Sequence, residues 1–209
     1  DWLGAREEIV EALVEEGHNY GGRPVAAHAI GLAGITAAVK AGVRSIEHGY
    51  ALTDELRQEM VERGQYLVPT LLETLHPDTA TPQAAAKSGK WHEIAQASIR
   101  ASVEAGIKIA VGTDAGLVPD HGTNLQEVGL LAKYGGMTPL QALSAGTKVS
   151  AELCGLGDQL GTLEAGKLAD VVVVKGDPST DADLVGDNAN ILLVLKEGAV
   201  KSNRGAFAV

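Results

Sequence analysis

The feature that most constrains this chain is a unit that recurs along its first half: an amphipathic helix, a glycine, a short apolar strand, then a polar residue. The first helix is expected over residues 6–16, with Ile9, Val10, Leu13 and Val14 on one face and Gly17 as its stop. The second sets Leu32, Ile35 and Val39 at helical spacing and stops at Gly42. The third opens on a Thr53 cap with Asp54 and Glu55 in its first turn, buries Leu56 and Met60, and stops at Gly64. The fourth carries Ile94, Ile99 and Val103 and stops at Gly106. Glycine just past a helix end takes the left-handed conformation without a side-chain clash, which makes it a natural terminator.

Strands are expected after those glycines, over residues 24–27, 43–46, 65–68 and 107–112. Strands that alternate with helices pair in parallel, so the pattern predicts an α/β fold. His28, His48, Thr70 and Asp114 then fall at or just beyond the C-terminal ends of the strands. In parallel α/β folds that is the face on which ligands bind. Taken singly, a histidine at a strand end is commonly a hydrogen-bonded structural residue, and an aspartate a cap or turn. Their gathering on one rim is what argues for a site.

The remainder reads differently. Thr123–Gln126 and Thr138–Gln141 have capping-box spacing, the second with Pro139 at the first helical position, and open helices of about 12 and 16 residues. From Leu160 the pattern turns to short strands over 169–175 and 191–196, followed by a turn at Glu197-Gly198. The expected organisation is an α/β unit over residues 1–156 and a small β appendage over 157–209.

A formal net charge of -10 and a pI near 5.0 oppose binding to nucleic acid or to an anionic membrane surface, because both repel an acidic body. No apolar stretch of about 18 residues predicts a transmembrane span. The single cysteine, Cys154, lies in an apolar helical pattern and is expected to be a buried small hydrophobe. The chain opens on Asp1 rather than methionine, so its natural start, with any signal peptide, is expected to lie upstream; of the compartments a cytoplasmic one is the expectation.

Two neutral imidazoles and a carboxylate suit zinc or a similar divalent ion, so His28, His48 and Asp114 are the candidate metal ligands. Such an ion lowers the pKa of bound water to near 7, and a carboxylate beside it takes the proton and returns it to a leaving group. Asp114, within Gly112-Thr113-Asp114-Ala115-Gly116, is the candidate for that catalytic role, the glycines leaving room for a substrate to approach. Thr70 at the rim, with His76 and His121 in the loops beyond it, are candidate substrate contacts; His18 and His92 are expected on the solvent side.

The segments Val25-Ala26-Ala27-His28-Ala29, Ser45-Ile46-Glu47-His48-Gly49, Val68-Pro69-Thr70 and Gly112-Thr113-Asp114-Ala115-Gly116 resemble the second half of amidohydrolase-superfamily enzymes. Gly136-Met137-Thr138-Pro139 and the run Gly161 to Val172 resemble that family's C-terminal helix and returning β-sandwich, with the imidazolonepropionase and prolidase-like group as the nearest match. The resemblance implies a partial (β/α)8, TIM-like barrel, these being strands five to eight, followed by a small β-sandwich portion. It implies His28 and His48 as metal ligands from strands five and six, and Asp114 as the strand-eight carboxylate that binds metal and shuttles a proton. One or two ions of zinc or a similar metal are implied for the full-length enzyme. Tyr50, just past the second histidine, is the implied contact for a substrate carboxylate.

The implied activity is hydrolysis of C–N bonds, in a Xaa-Pro or related dipeptide or another small molecule. The alternatives are an inert fragment that acts only through assembly, and a cyclic-imine deaminase of the same superfamily. The family's early His-x-His and its strand-four bridging lysine have no counterpart in these 209 residues, so the chain is expected to be a segment of a longer protein. A half barrel leaves strand edges open, and a homo-oligomer is expected for it.

Overall fold

A parallel sheet in sequence order forms the first layer: β1 (Ala26–Ala29), β2 (Ser45–His48), β3 (Tyr66–Val68) and β4 (Lys108–Ile109), ordered β1-β2-β3-β4. The computed structural model describes residues 4–75, 82–116 and 121–208. Helices α1 (Glu7–Asn19), α2 (Leu32–Ala41), α3 (Asp54–Arg63) and α5 (Pro82–Ala105) precede the strands, and the four-residue α4 (Leu71–Thr74) follows β3. Gly42 and Gly64 close α2 and α3 with φ of 81° and 65°, and the Thr53 hydroxyl accepts from Leu56 N at the start of α3. These three boundaries fall where the sequence puts them.

The register sets Ala27, Ile46, Leu67 and Ile109 side by side. Ile46 and Leu67 are completely buried, in one core with Ile35, Val39, Met60 and Ile99 of the helices. Burial of each such side chain contributes roughly 1.5–3 kcal/mol. Because side chains alternate along a strand, the neighbouring row His28, Glu47 and Val68 lies on the opposite face. That alternation sends His28 away from the helices and frees it for the rim.

Several expectations are corrected. Helix α1 runs on past Gly17 to Asn19; the glycine serves packing instead, since a Cβ there would meet Arg23 O at 2.6 Å. Ile9 and Leu13 of α1 are 46% and 56% exposed, so only Val10 and Val14 of its apolar residues pack on the core. Strand β1 starts two residues later than expected, beyond Pro24, which has no N–H to donate to a ladder. Strand β4 is only two residues long; past it, Val111 N donates to the Ser150 hydroxyl instead of to a neighbouring strand. Cys154 is exposed, since it caps the end of its helix rather than sitting on the apolar face.

After β4 come α6 (Gln126–Lys133), then α7 (Pro139–Ser144), a π-helical turn (Ala145–Val149) and α8 (Ser150–Leu153). The Thr138 capping box is complete, with Gln141 answering the Thr138 N–H at 2.8 Å. Helix α6 begins at Gln126, with Leu125 rather than Thr123 at its cap position.

The second sheet is antiparallel, β5 (Val171–Val174), β6 (Ile191–Lys196) and β7 (Ala199–Asn203) in that order. Glu197 and Gly198 join β6 to β7 with φ of 53° and 77°, the positive pair that a tight hairpin requires. A 3-10 turn, Ala182–Gly186, seats this part against α6: a Cβ on Gly186 would meet Gln126 Cα at 2.9 Å. Ala182 and Val185 belong to the same apolar core as the first sheet.

Candidate active site

Three strand ends share an uncommon backbone state. His48, Thr70 and Asp114 have φ of 74°, 52° and 49°. Left-handed backbone on a non-glycine residue costs about 1–3 kcal/mol, and where it persists the surroundings hold it. The turn after β2 shows what does the holding. Gly49 has φ of 66°, and a Cβ there would meet Leu67 Cδ1 at 2.5 Å, so the chain reverses directly behind His48 only because residue 49 is glycine. The Ser98 hydroxyl donates to Gly49 O, and Arg57 in turn donates to Ser98 and Ser102, tying this turn to α5.

A chain of hydrogen bonds crosses the rim. His28 Nδ1 lies 2.9 Å from His48 Nε2, with the rings edge to face. His48 Nδ1 lies 2.7 Å from Thr70 Oγ1, and the Tyr50 hydroxyl meets that same oxygen at 3.1 Å. With a proton on Nδ1 directed at Thr70, His48 keeps its Nε2 lone pair for the rim side. Burial, then the neighbouring His28, lowers the His48 pKa to about 4, against the pull of Asp114. His48 is therefore neutral at pH 7, the form in which an imidazole binds a metal.

The structure adds Glu73, from α4, to the candidate ligands. One donor atom each from His48, Glu73 and Asp114 lie within 4.8 Å of one another, and His28 joins them through His48. Glu73 Oε2 is buried with no hydrogen-bond partner, 3.5 Å from His48 Nδ1. Burial, then Asp114, raises the Glu73 pKa, with His28 and the Thr70 hydroxyl opposing. Carboxylates crowded beside imidazoles, one carboxylate oxygen left orphaned, form a donor set that fits a divalent cation.

Other expected site residues lie elsewhere. Tyr50 and Thr70, expected to meet substrate, are 4% and 3% exposed; the Tyr50 hydroxyl meets that of Thr70, which in turn meets His48. They stand behind the histidine. His121 is exposed in a turn and is not among the grouped donors, and His76 lies outside the described residues. His92 is half-buried in the middle of α5, between Thr74 and Gln96, rather than on the solvent side. Gly112 serves packing: its Cβ would meet Val68 Cγ1 at 2.5 Å.

Glu73 was missed, although Thr70-Leu71-Leu72-Glu73 has the spacing of a capping box, a flag for a carboxylate beside a rim residue. Thr70 makes no such cap, and the carboxylate turns to the site instead. Glu127 was missed too. It is completely buried and accepts from Leu71 N and Leu72 N, at 2.7 Å each.

The sequence profile of the Amidohydrolase family matches residues 3–201. The chain belongs to the amidohydrolase family. It is 30% identical over 204 residues to ochratoxinase of Aspergillus niger, covering 95% of this chain and 42% of that protein. In structure it is similar to a Xaa-Pro dipeptidase with methionine bound in the active site, at 36% identity and a TM-score of 0.85, over 94% of this chain and 49% of that one. A prolidase in complex with N-methylphosphonate-L-proline matches with a TM-score of 0.85 at 30% identity, over 97% of this chain and 51% of that one. The chain thus spans about half the length of the relatives it matches. No helix among the described residues is long and apolar enough to cross a membrane.

Proposed function

We propose that this chain supplies the C-terminal half of a metal-dependent hydrolase barrel that cleaves C–N bonds in small molecules, dipeptides ending in proline foremost. The observation that carries the reading is the group formed by His48, Glu73 and Asp114, joined by His28, at the C-terminal ends of parallel strands. The similarity to a Xaa-Pro dipeptidase and a prolidase supports the substrate class. In this reading β1 to β4 are barrel strands five to eight, residues 1–156 form the half barrel, and 157–209 the β-sandwich portion. The sheet edges at β1 and β4 are covered by the other half of the barrel in the natural-length protein. The 209-residue chain alone self-associates through those edges.

His28, His48 and Asp114, with Glu73 beside them, hold the ion, of which zinc is the leading candidate. When bound, a divalent ion polarises a carbonyl and acidifies water, which makes attack feasible at neutral pH. Asp114 takes a proton from the attacking water as the water oxygen bonds to the carbonyl carbon. The C–N bond then breaks, and Asp114 returns that proton to the departing nitrogen. Thr70, backed by Tyr50, fixes the ring of His48.

The test is hydrolysis of a Xaa-Pro dipeptide by the natural-length protein and by Asp114→Asn. The variant is expected to fold normally and to lose at least about 100-fold in kcat, the low end for a proton-transfer group. A normal rate in Asp114→Asn removes the proposal.

A further inference from the structure

The turn that carries Glu73 is only four residues long, and something outside it must fix its geometry. It begins at Thr70 with φ of 52°, so the chain enters α4 from a left-handed residue that makes no side-chain cap. The first N–H groups of any helix lack partners within the helix. Here they belong to Leu71 and Leu72, which are buried. Each is answered at 2.7 Å by a different oxygen of one carboxylate, that of Glu127, at sequence separations of 56 and 55. The far end of the turn is held as well: Thr74 Oγ1 donates to Leu71 O and lies 2.7 Å from His92 Nδ1.

Capping alone does not call for such an arrangement. A serine or aspartate at the entry, or water, satisfies orphan amides at little cost, whereas burying a carboxylate completely is expensive. Burial raises the Glu127 pKa to about 7 against the pull of the two amides. What the distant carboxylate adds is rigidity, because its helix is itself fixed. Leu131, one turn on, is completely buried, and Gln126 is packed against Gly186 of the C-terminal part. Between the two capped amides and His48 stands Thr70, whose hydroxyl meets His48 Nδ1 at 2.7 Å. One residue beyond them is Glu73.

We infer that Glu127 is a positioning residue for the site: by clamping Leu71 N and Leu72 N it fixes where Thr70 holds His48 and where Glu73 presents its carboxylate. It acts through those residues and touches neither substrate nor ion. The inference rests on the proposed hydrolase reading for its activity readout and on the metal site of that reading for its zinc readout, while the amide measurement depends on neither.

Two measurements on the natural-length protein test it. In Glu127→Gln the amide group matches one backbone N–H but sets its NH2 against the other. At temperatures where the variant keeps a native circular dichroism spectrum, zinc affinity is expected to fall about 10–100-fold, the usual effect of removing a residue that orients a ligand. The loss of activity is expected in kcat, with KM little changed. Zinc affinity and kcat within twofold of the unsubstituted protein overturn the inference. The second measurement needs no variant, and so keeps the inference open to refutation if Glu127→Gln fails to fold. In the unsubstituted protein the Leu71 and Leu72 amide protons are expected well downfield and slow to exchange; exchange as fast as an exposed loop overturns the inference. Protected amides and a zinc loss in Glu127→Gln, in a protein that hydrolyses no dipeptide, refute the substrate reading and leave the positioning role standing.

Discussion

Replacing Thr70 separates the two tasks its side chain performs. Its hydroxyl meets His48 Nδ1 at 2.7 Å and the Tyr50 hydroxyl at 3.1 Å, all three groups being buried. Thr70→Val keeps the branched shape in the left-handed backbone and replaces the hydroxyl with a methyl group. His48 Nδ1 then loses its closest partner, while Tyr50 falls back on Thr70 O, 3.4 Å away. A buried group left without its partner costs about 1–3 kcal/mol, and with Tyr50 still reaching Thr70 O the expected loss is of that size. Thr70→Ser keeps the oxygen and removes one methyl, worth about 0.8 kcal/mol. Urea unfolding of the metal-free protein is expected to rank the unsubstituted chain and Thr70→Ser close together, with Thr70→Val below both. Zinc competition titrations are expected to follow the same order, Thr70→Val weaker by about 10–100-fold. If Thr70→Val matches Thr70→Ser in both assays, the hydroxyl does not orient His48 and the reasoning fails.

Other expectations rest on different contacts. Gly49→Ala places a methyl 2.5 Å from Leu67 Cδ1 at a φ of 66°. Overpacking together with left-handed backbone predicts a loss of about 2–4 kcal/mol in chemical denaturation, and a loss under 0.5 kcal/mol contradicts the packing described. The His48 pKa, about 4 in the fold against an ordinary 6.5, makes the unfolded chain bind a proton first. Stability from this group is thus present above pH 6.5 and is lost as pH falls toward 4, by about 3 kcal/mol in the metal-free protein. Glu127, raised to about 7, works in the opposite sense, its contribution growing as pH falls from 7 toward 4.5. The readable quantity is therefore the difference between the unsubstituted protein and His48→Asn, whose stabilities should converge as pH is lowered. A gap that stays constant from pH 7 to pH 4 refutes the assignment.

Much of the fold was legible because its punctuation is local. Gly42, Gly64, Thr53 and the Thr138 box mark helix ends through their own backbone or side chain, with no help from distant residues. The gathering of His28, His48 and Asp114 followed from the same regularity, since strand ends of a parallel sheet lie together. What stayed hidden depends on contacts across the chain. Gly17 looks like a terminator until Arg23 O is seen packed against it. Tyr50 looks like a recognition residue until its hydroxyl is found on Thr70. Glu127 sits on the buried face of α6 beside Val128 and Leu131, where a carboxylate signals a buried partner without naming Leu71 and Leu72.

The central claim, that this rim is a metal site, is tested most directly by elemental analysis of the natural-length protein after chelator washing and reconstitution with zinc. The account predicts one or two tightly held ions per chain, with occupancy reduced in His28→Ala, His48→Ala and Asp114→Ala while circular dichroism stays native. Metal content unchanged in all three variants, or no metal retained by the unsubstituted protein, contradicts it.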